Sequence, residues 1–396
     1  MRVCIIGAGI AGLVAARELK RRGADVTVLE AADTAGGKCH SLRRFGRIYE
    51  FGALAVFGTY HRTRAYLDEL GIELTPCDTL VDARGAPVRR VHHGPKDQTW
   101  QLALADVLGD VDIVTDHTQV APLELHLPIQ TWLERHGLWP IPPRLAWGYQ
   151  SCGYGFVTED IAALYYLRIM ALCRGDIDVV RGGYQQVCTR LAEQLPVRTT
   201  CAVRRITRDD TIHVTTDDAT IEADTLVFTP APSTALELVD VDDEEREVLE
   251  AFRPQEYISV LVEAENLSDS VGVTFVTDRQ RSADRGHAVM YMKPDADRPL
   301  YCVWQYGTDD DAADSARVEA DIEALGATSA RTLARRRWRD YFPHLPPAAL
   351  AAGLGPRIDA LQGHRNTYWV GGAYSIEIVE AAIRHAEATA NTHDMG

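Results

Sequence analysis

An α/β fold organised around a parallel sheet is what three features of this sequence predict. Arg2–Ala31, RVCIIGAGIAGLVAARELKRRGADVTVLEA, reads as strand, glycine-rich turn, helix and second strand. Asn366–Val370 reads as another strand, running through Gly371-Gly372 into a helix from Ile376 to Ala390. Between them, Pro196–Ala231 alternates in short runs broken by Asp209-Asp210 and Asp217-Asp218, then reaches the apolar Leu226–Thr229. That is the pattern of a β-meander returning to a parallel sheet.

The N-terminal unit carries the chemistry. Val3–Ile6 is apolar and stops at glycine, as a buried parallel strand does. Leu13, Ala16, Leu19 and Lys20 recur at helical spacing over Ile10–Arg22, basic residues fill the last turn, and Gly23 ends the helix as a left-handed cap. Val26–Glu30 is the second strand. In this Rossmann-type setting each glycine has a distinct duty: Gly7 makes the tight turn, Gly9 admits a pyrophosphate and Gly12 lets helix and strand pack closely. The helix N-terminus offers free amides to phosphate, and Glu30 accepts hydrogen bonds from an adenosine ribose. Gly36-Gly37-Lys38 follows soon after, so the chain folds back over the cofactor and Lys38 brings a point charge toward the pyrophosphate. This continuation favours FAD in a glutathione-reductase-like domain over a nicotinamide. The C-terminal strand, glycine pair and helix would aim a second helix N-terminus at the flavin ring, and Val203 would lay its backbone beside the adenine. Both termini therefore belong to one discontinuous FAD domain, 1–78 with 195–238 and 352–396. The intervening stretches 79–194 and 239–351 are left to handle substrate.

Composition narrows the function classes. The 57 acids against 41 bases give a net charge of −16, so nucleic acid is not an expected partner. No apolar run approaches the roughly 20 residues of a spanning helix, and eight scattered cysteines without a CxxC pair read as reduced thiols of a cytoplasmic protein. The apolar run after Arg2 imitates a signal peptide, but its glycines are explained by the dinucleotide unit. There is no GxSxG elbow, HExxH, Walker loop or Cys/His metal spacing, so no metal is expected and the flavin itself should carry the reaction. His92-His93 has no evident partner. Trp139, Trp147, Tyr149, Tyr154, Phe156, Tyr165 and Tyr166 are interleaved with Gly148, Gly153 and Gly155, which reads as core with bends beside an apolar ligand. Asp309-Asp310-Asp311 reads as a solvated loop. Arg335-Arg336-Arg337 and Arg339 read as a solvent-facing basic cluster on a helix near Trp338.

GGKCHS (Gly36–Ser41), RIYEFGA (Arg47–Ala53), CGYGF (Cys152–Phe156), RGD (Arg174–Asp176), RITR (Arg205–Arg208), YFPH (Tyr341–His344) and GHRNTYWVGG (Gly363–Gly372) are spread along the whole chain. With these, the sequence resembles the flavin amine oxidase and phytoene desaturase superfamily, and within it the bacterial polyenoic fatty acid isomerases. The resemblance implies an FAD domain, an inserted β-rich substrate domain (239–351) and a helical lid (79–194). It also implies a cofactor-contacting set of Gly7, Gly9, Ile10, Ala11, Gly12, Glu30, Ala31, Gly37, Lys38, Gly52, Ala53, Leu54, Val203, Gly371, Gly372, Ile378 and Val379. The implied reaction is redox-neutral: a hydride leaves an allylic carbon of an unsaturated acyl or polyene-like substrate and returns to another carbon. Tyr154 and Phe156 are the candidates to stabilise the intervening allyl cation, an attraction worth ~1–2 kcal/mol when desolvated. Two departures stand out. The arginine expected to grip a substrate carboxylate near Pro76–Pro87 is absent, with Asp78, Asp82 and Arg84 in that region, and Gly372 replaces a common acid. An acyl conjugate is therefore a possible substrate form. The rival reading is a net FAD oxidoreductase, a desaturase or amine oxidase. Oligomeric state is left open.

Overall fold

The computed structural model describes residues 1–77, 79–88, 120–268 and 270–392. Its three predicted parallel-sheet segments meet in one five-stranded sheet, ordered Thr367–Trp369, Thr225–Phe228, Arg2–Ile6, Asp25–Leu29, Val197–Arg198. Every neighbouring pair is parallel. Thr225–Phe228, between two neighbours and buried at all four positions, explains the unbroken apolar run. The helix Ile10–Arg21 buries Leu13, Val14, Ala16 and Leu19 and packs against the C-terminal helix Val379–Thr392. That last helix starts three residues later than the sequence suggests. Gly371 at φ 119° and a tight turn over Gly372–Tyr374 take up the intervening chain.

Val203–Arg208, Ile212–Thr216 and Thr220–Ala223 form the antiparallel meander. Arg208 anchors it from inside. Its guanidinium is fully buried, bonded to Asp240 at 2.9 Å, to both Glu245 oxygens at 2.6 Å and to the Thr367 hydroxyl at 3.0 Å. One side chain thus ties the meander to the helix Asp243–Ala251 and to the edge of the parallel sheet.

The second layer is a six-stranded sheet ordered Ser329–His344, Arg253–Glu265, Leu300–Tyr306, Ala288–Lys293, Gly272–Phe275, Leu80–Asp82. It is antiparallel except for the last pair. Segment 79–194 is thus more than helical. Besides Leu80–Asp82 it supplies Ile177–Val180, paired with Ala55–Phe57 and Leu74–Pro76, and the helix Gln185–Ala192, which packs on Ile10–Arg21. Strands of three or four residues have too few positions for a period of two to register in sequence.

Alternation along Arg253–Glu265 separates two cores. Tyr257 and Leu261 face one with Phe275, Met290 and Trp304, while Ile258, Val260 and Val262 face another with Val318 and Ile322 of the helix Asp311–Ala324. The neighbouring strand follows the same rule, since Trp338, Arg336 and Ala334 pair with Tyr257, Ser259 and Leu261, and Arg337 and Arg335 pair with Ile258 and Val260. The basic cluster is therefore on a strand and not a helix, and it is divided between two faces. Nor is the acidic run a free loop. Asp310 caps Asp311–Ala324 by accepting from the Ala312 and Ala313 amides, and Asp311 accepts from Arg335 at 2.7 Å and Arg337 at 2.8 Å.

Glu50 makes folding depend on pH. Buried between the Ser41 hydroxyl at 2.7 Å and the Tyr184 amide at 2.6 Å, its carboxyl is pushed up from 4.5 to about 7 by desolvation, against the pull of those two donors. A raised folded-state pKa means that its contribution to stability is complete below about pH 4.5 and is lost as pH climbs through 7. Glu50→Gln copies the protonated form. Thermal melts should coincide for wild type and variant at acid pH and separate toward pH 8, the variant gaining on the order of 3 kcal/mol. A gap that does not change with pH would refute this assignment.

Candidate active site

A cavity of about 670 Å³ lies where the loops of the parallel sheet meet the six-stranded sheet. Gly7, Gly9, Glu30, Val203 and Gly371 line it from the first side, and Leu54, Tyr257, Trp304 and Tyr341 from the second. Ligands of open α/β sheets bind at such strand ends.

The first side is a cradle built by close backbone approach. Gly7 turns at φ 97°, and a Cβ there would lie 2.6 Å from the Thr229 hydroxyl oxygen. A Cβ on Gly12 would lie 2.1 Å from the Gly7 carbonyl oxygen, so this glycine seats the helix on its strand without itself lining the cavity. Gly9 bridges to Gly36, and a Cβ on Gly37 would come within 3.2 Å of the Gly9 Cα. Gly52 holds the next turn, where a Cβ would sit 1.8 Å from the Lys38 carbonyl oxygen and the Ala53 amide donates to that same oxygen at 2.8 Å. No side chain caps the first helix at Gly9, leaving its opening amides beside Ile10 and Ala11 for an anion.

Glu30 is fixed by the Ala8 amide at 2.8 Å and the Ala32 amide at 2.9 Å, one on each oxygen. Each oxygen keeps lone pairs for ribose hydroxyls. Ala31, Gly37, Lys38, Ala53, Gly372, Ile378 and Val379 also line the cavity. Lys38 spends its charge differently from the sequence expectation: its ammonium lies 2.8 Å from Glu377 and donates to the Asp340 carbonyl at 2.8 Å. Glu377 was not predicted. Its other oxygen is buried without a hydrogen-bond partner among the described residues, an acceptor left over in a residue that lines the cavity. The glycine cradle, the fixed Glu30 and this spare acceptor are the features that a bound dinucleotide would complete.

The second side is aromatic. Tyr154 lines the cavity, donates to the Glu377 carbonyl at 3.1 Å and meets Phe342 edge-on at 5.2 Å. Tyr257 and Tyr341 join it, donating to the Ser151 and Cys152 carbonyls. Gly153 permits their approach, since a Cβ there would lie 2.5 Å from the Tyr341 ring and 3.0 Å from the Tyr257 ring. Burial raises all three phenols well above the ordinary tyrosine range, which keeps them neutral donors.

Phe156 must be reassigned. It is fully buried, its ring 4.9 Å from Tyr306 with the Arg285 guanidinium 5.7 Å away, and it is not part of the cavity wall. Gly155 turns at φ 83° between Tyr154 and Phe156, so two neighbouring aromatics of one motif serve different places. Arg84 also lies off the cavity, in a tight turn where its amide donates to Asp82. Asp78 and His92-His93 lie outside the described residues. Arg336, read in sequence as part of a solvent-facing rim near Trp338, is exposed as expected, and together with Trp338 it also lines the cavity.

A glycine cradle on a parallel sheet, facing a neutral aromatic chamber, defines a dinucleotide-binding flavoprotein. The chain belongs to the flavin containing amine oxidoreductase family, whose model matches residues 10–392, and its cofactor is FAD. Among solved structures, a CLA-producing fatty acid isomerase from P. acnes superposes with a TM-score of 0.86 at 25% identity, covering 98% of this chain and 97% of that one. Putrescine oxidase bound to putrescine shares the fold at a TM-score of 0.71 and 18% identity, covering 98% of each. AofH of Mycobacterium tuberculosis, named as a flavin-containing monoamine oxidase, is 28% identical over 269 residues, 58% of this chain and 57% of its own length. The matched region thus spans little more than half of that relative. Among the described residues no helix is long and apolar enough to cross a membrane.

Proposed function

We propose that this flavoenzyme isomerises double bonds of an apolar, unsaturated acyl or polyene-like substrate. The observation that carries the reading is the charge inventory of the cavity wall. Its acids are all engaged: Glu30 by two backbone amides, Glu377 by Lys38, and Asp340 by the Ser233 hydroxyl at 2.8 Å. An amine substrate would find each of these carboxylates already holding a donor and would meet Arg336. An apolar chain meets Leu54, Leu145, Met170, Phe275 and Met290. The likeness to the P. acnes isomerase supports the same choice.

Bound FAD supplies a hydride acceptor and donor, so the reaction needs no net oxidant. The residues of the chain hold the acyl chain, exclude water and face a developing carbocation with the electron-rich ring of Tyr154. Neutral phenols suit that task, because a buried phenolate would trap the cation. The second reading, net oxidation, draws on the family name and on amine-oxidising relatives. Incubating the FAD-loaded enzyme with linoleate in an oxygen electrode separates them. Isomerisation gives product of unchanged mass without oxygen uptake. Uptake matched to a product two hydrogens lighter would favour the oxidase.

A further inference from the structure

The strand Ser329–His344 carries five arginines, and their pairing is uneven. Arg331 meets Glu263, Arg335 meets Asp311, Arg337 meets Asp311, Asp314 and Glu256, and Arg339 lies 3.8 Å from Glu256. Arg336 has no carboxylate partner among the described residues. The register explains why. Arg335 and Arg337 point to the face covered by Asp311–Ala324, whereas Arg336 and Trp338 point to the cavity side. There the guanidinium stacks over the Trp338 ring at 4.1 Å, leaving its N–H edge free while the plane is held. Burial alone acts on its pKa, downward, while Arg337, also desolvated, is raised by Asp311 and Glu256. His40, which feels the charge of Arg336, is lowered to about 4 by burial and by Arg336, so it is neutral near pH 7 and adds no competing cation.

We propose that Arg336, stacked on Trp338, anchors the carboxylate of an amphiphilic substrate whose apolar chain fills the aromatic chamber. A planar fork held by an indole, in a wall whose acids already hold donors, suits bidentate carboxylate binding. The anchor comes from the far sheet, not from the Pro76–Pro87 region where the family resemblance places one, so a free acid again becomes the natural substrate form. This inference rests on the apolar-substrate reading above and specifies its head group.

Calorimetric titration of the FAD-loaded enzyme with dodecanoate, methyl dodecanoate and dodecylamine tests it. Arg336→Gln should weaken dodecanoate about ten- to a hundredfold, the range for a hydrogen bond to a charged group, and leave the methyl ester unchanged. Arg336→Lys should retain part of the acid affinity. Arg336→Glu should lose dodecanoate and gain dodecylamine. Equal losses for acid and ester in Arg336→Gln, or no loss of acid affinity in Arg336→Gln and Arg336→Glu, would overturn the anchor. If the ester binds while acid affinity ignores Arg336, the anchor falls and the apolar-substrate reading stands. If neither acid nor ester binds the wild type, both fall.

Discussion

Gly12→Ala should yield a protein that binds little or no flavin. The added methyl would sit 2.1 Å from the Gly7 carbonyl oxygen and 3.4 Å from Ile5 Cγ2. The closer neighbour is backbone, so no side chain can swing aside. The first helix must lift off its strand by about an ångström, and such overpacking typically costs ~1–3 kcal/mol. The larger effect falls on the cofactor, because the lift moves the amides at Ile10 and Ala11 out of register with the pyrophosphate. Flavin per protein, measured by absorbance after gel filtration, should drop at least tenfold. Gly23→Ala is the matched control. It forces alanine into a left-handed position at φ 90° with nothing within 4 Å, costing ~1–2 kcal/mol of stability but sparing flavin content. Full loading of Gly12→Ala would contradict the cradle.

Arg208→Ala should be the most destabilising single change outside the cradle. It would leave Glu245 fully buried with its best donor gone, and Arg365 only 3.9 Å away as a remnant cation. Breaking a buried pair from one side typically costs ~3–5 kcal/mol, because the abandoned charge stays desolvated. Since Arg208 also holds Thr367, the loss should reach the parallel sheet. Urea titrations followed by tryptophan and by flavin fluorescence should therefore shift together. A change below about 1 kcal/mol, typical of exposed pairs, would mean that the network is not structural.

The dinucleotide half was legible in sequence because its constraints are local. A strand, three glycines, a helix and an acid fall within thirty residues, and Gly12 answers to the carbonyl of Gly7 in the same short stretch. The second glycine pair and the C-terminal βα unit were legible for the same reason. The substrate half depends on pairings between remote segments. Run together as Arg335-Arg336-Arg337, the arginines hide a period of two, because both faces of the strand carry arginine for different reasons, one opposite Asp311 and the other opposite the cavity. The adjacent aromatics Tyr154 and Phe156 part company only through the dihedral of Gly155. Glu377 stands out weakly as an acid between Ile376 and Ile378, but its role emerges only once Lys38, far away in sequence, lies beside it.

Anaerobic turnover decides between redox-neutral chemistry on an apolar unsaturated acid and its net oxidation. Enzyme with oxidised FAD, sealed under argon with a large excess of linoleate, should convert many equivalents to an isomer of identical mass and finish with its flavin oxidised. A single equivalent of product two hydrogens lighter, with the flavin bleached and turnover halted, would contradict it.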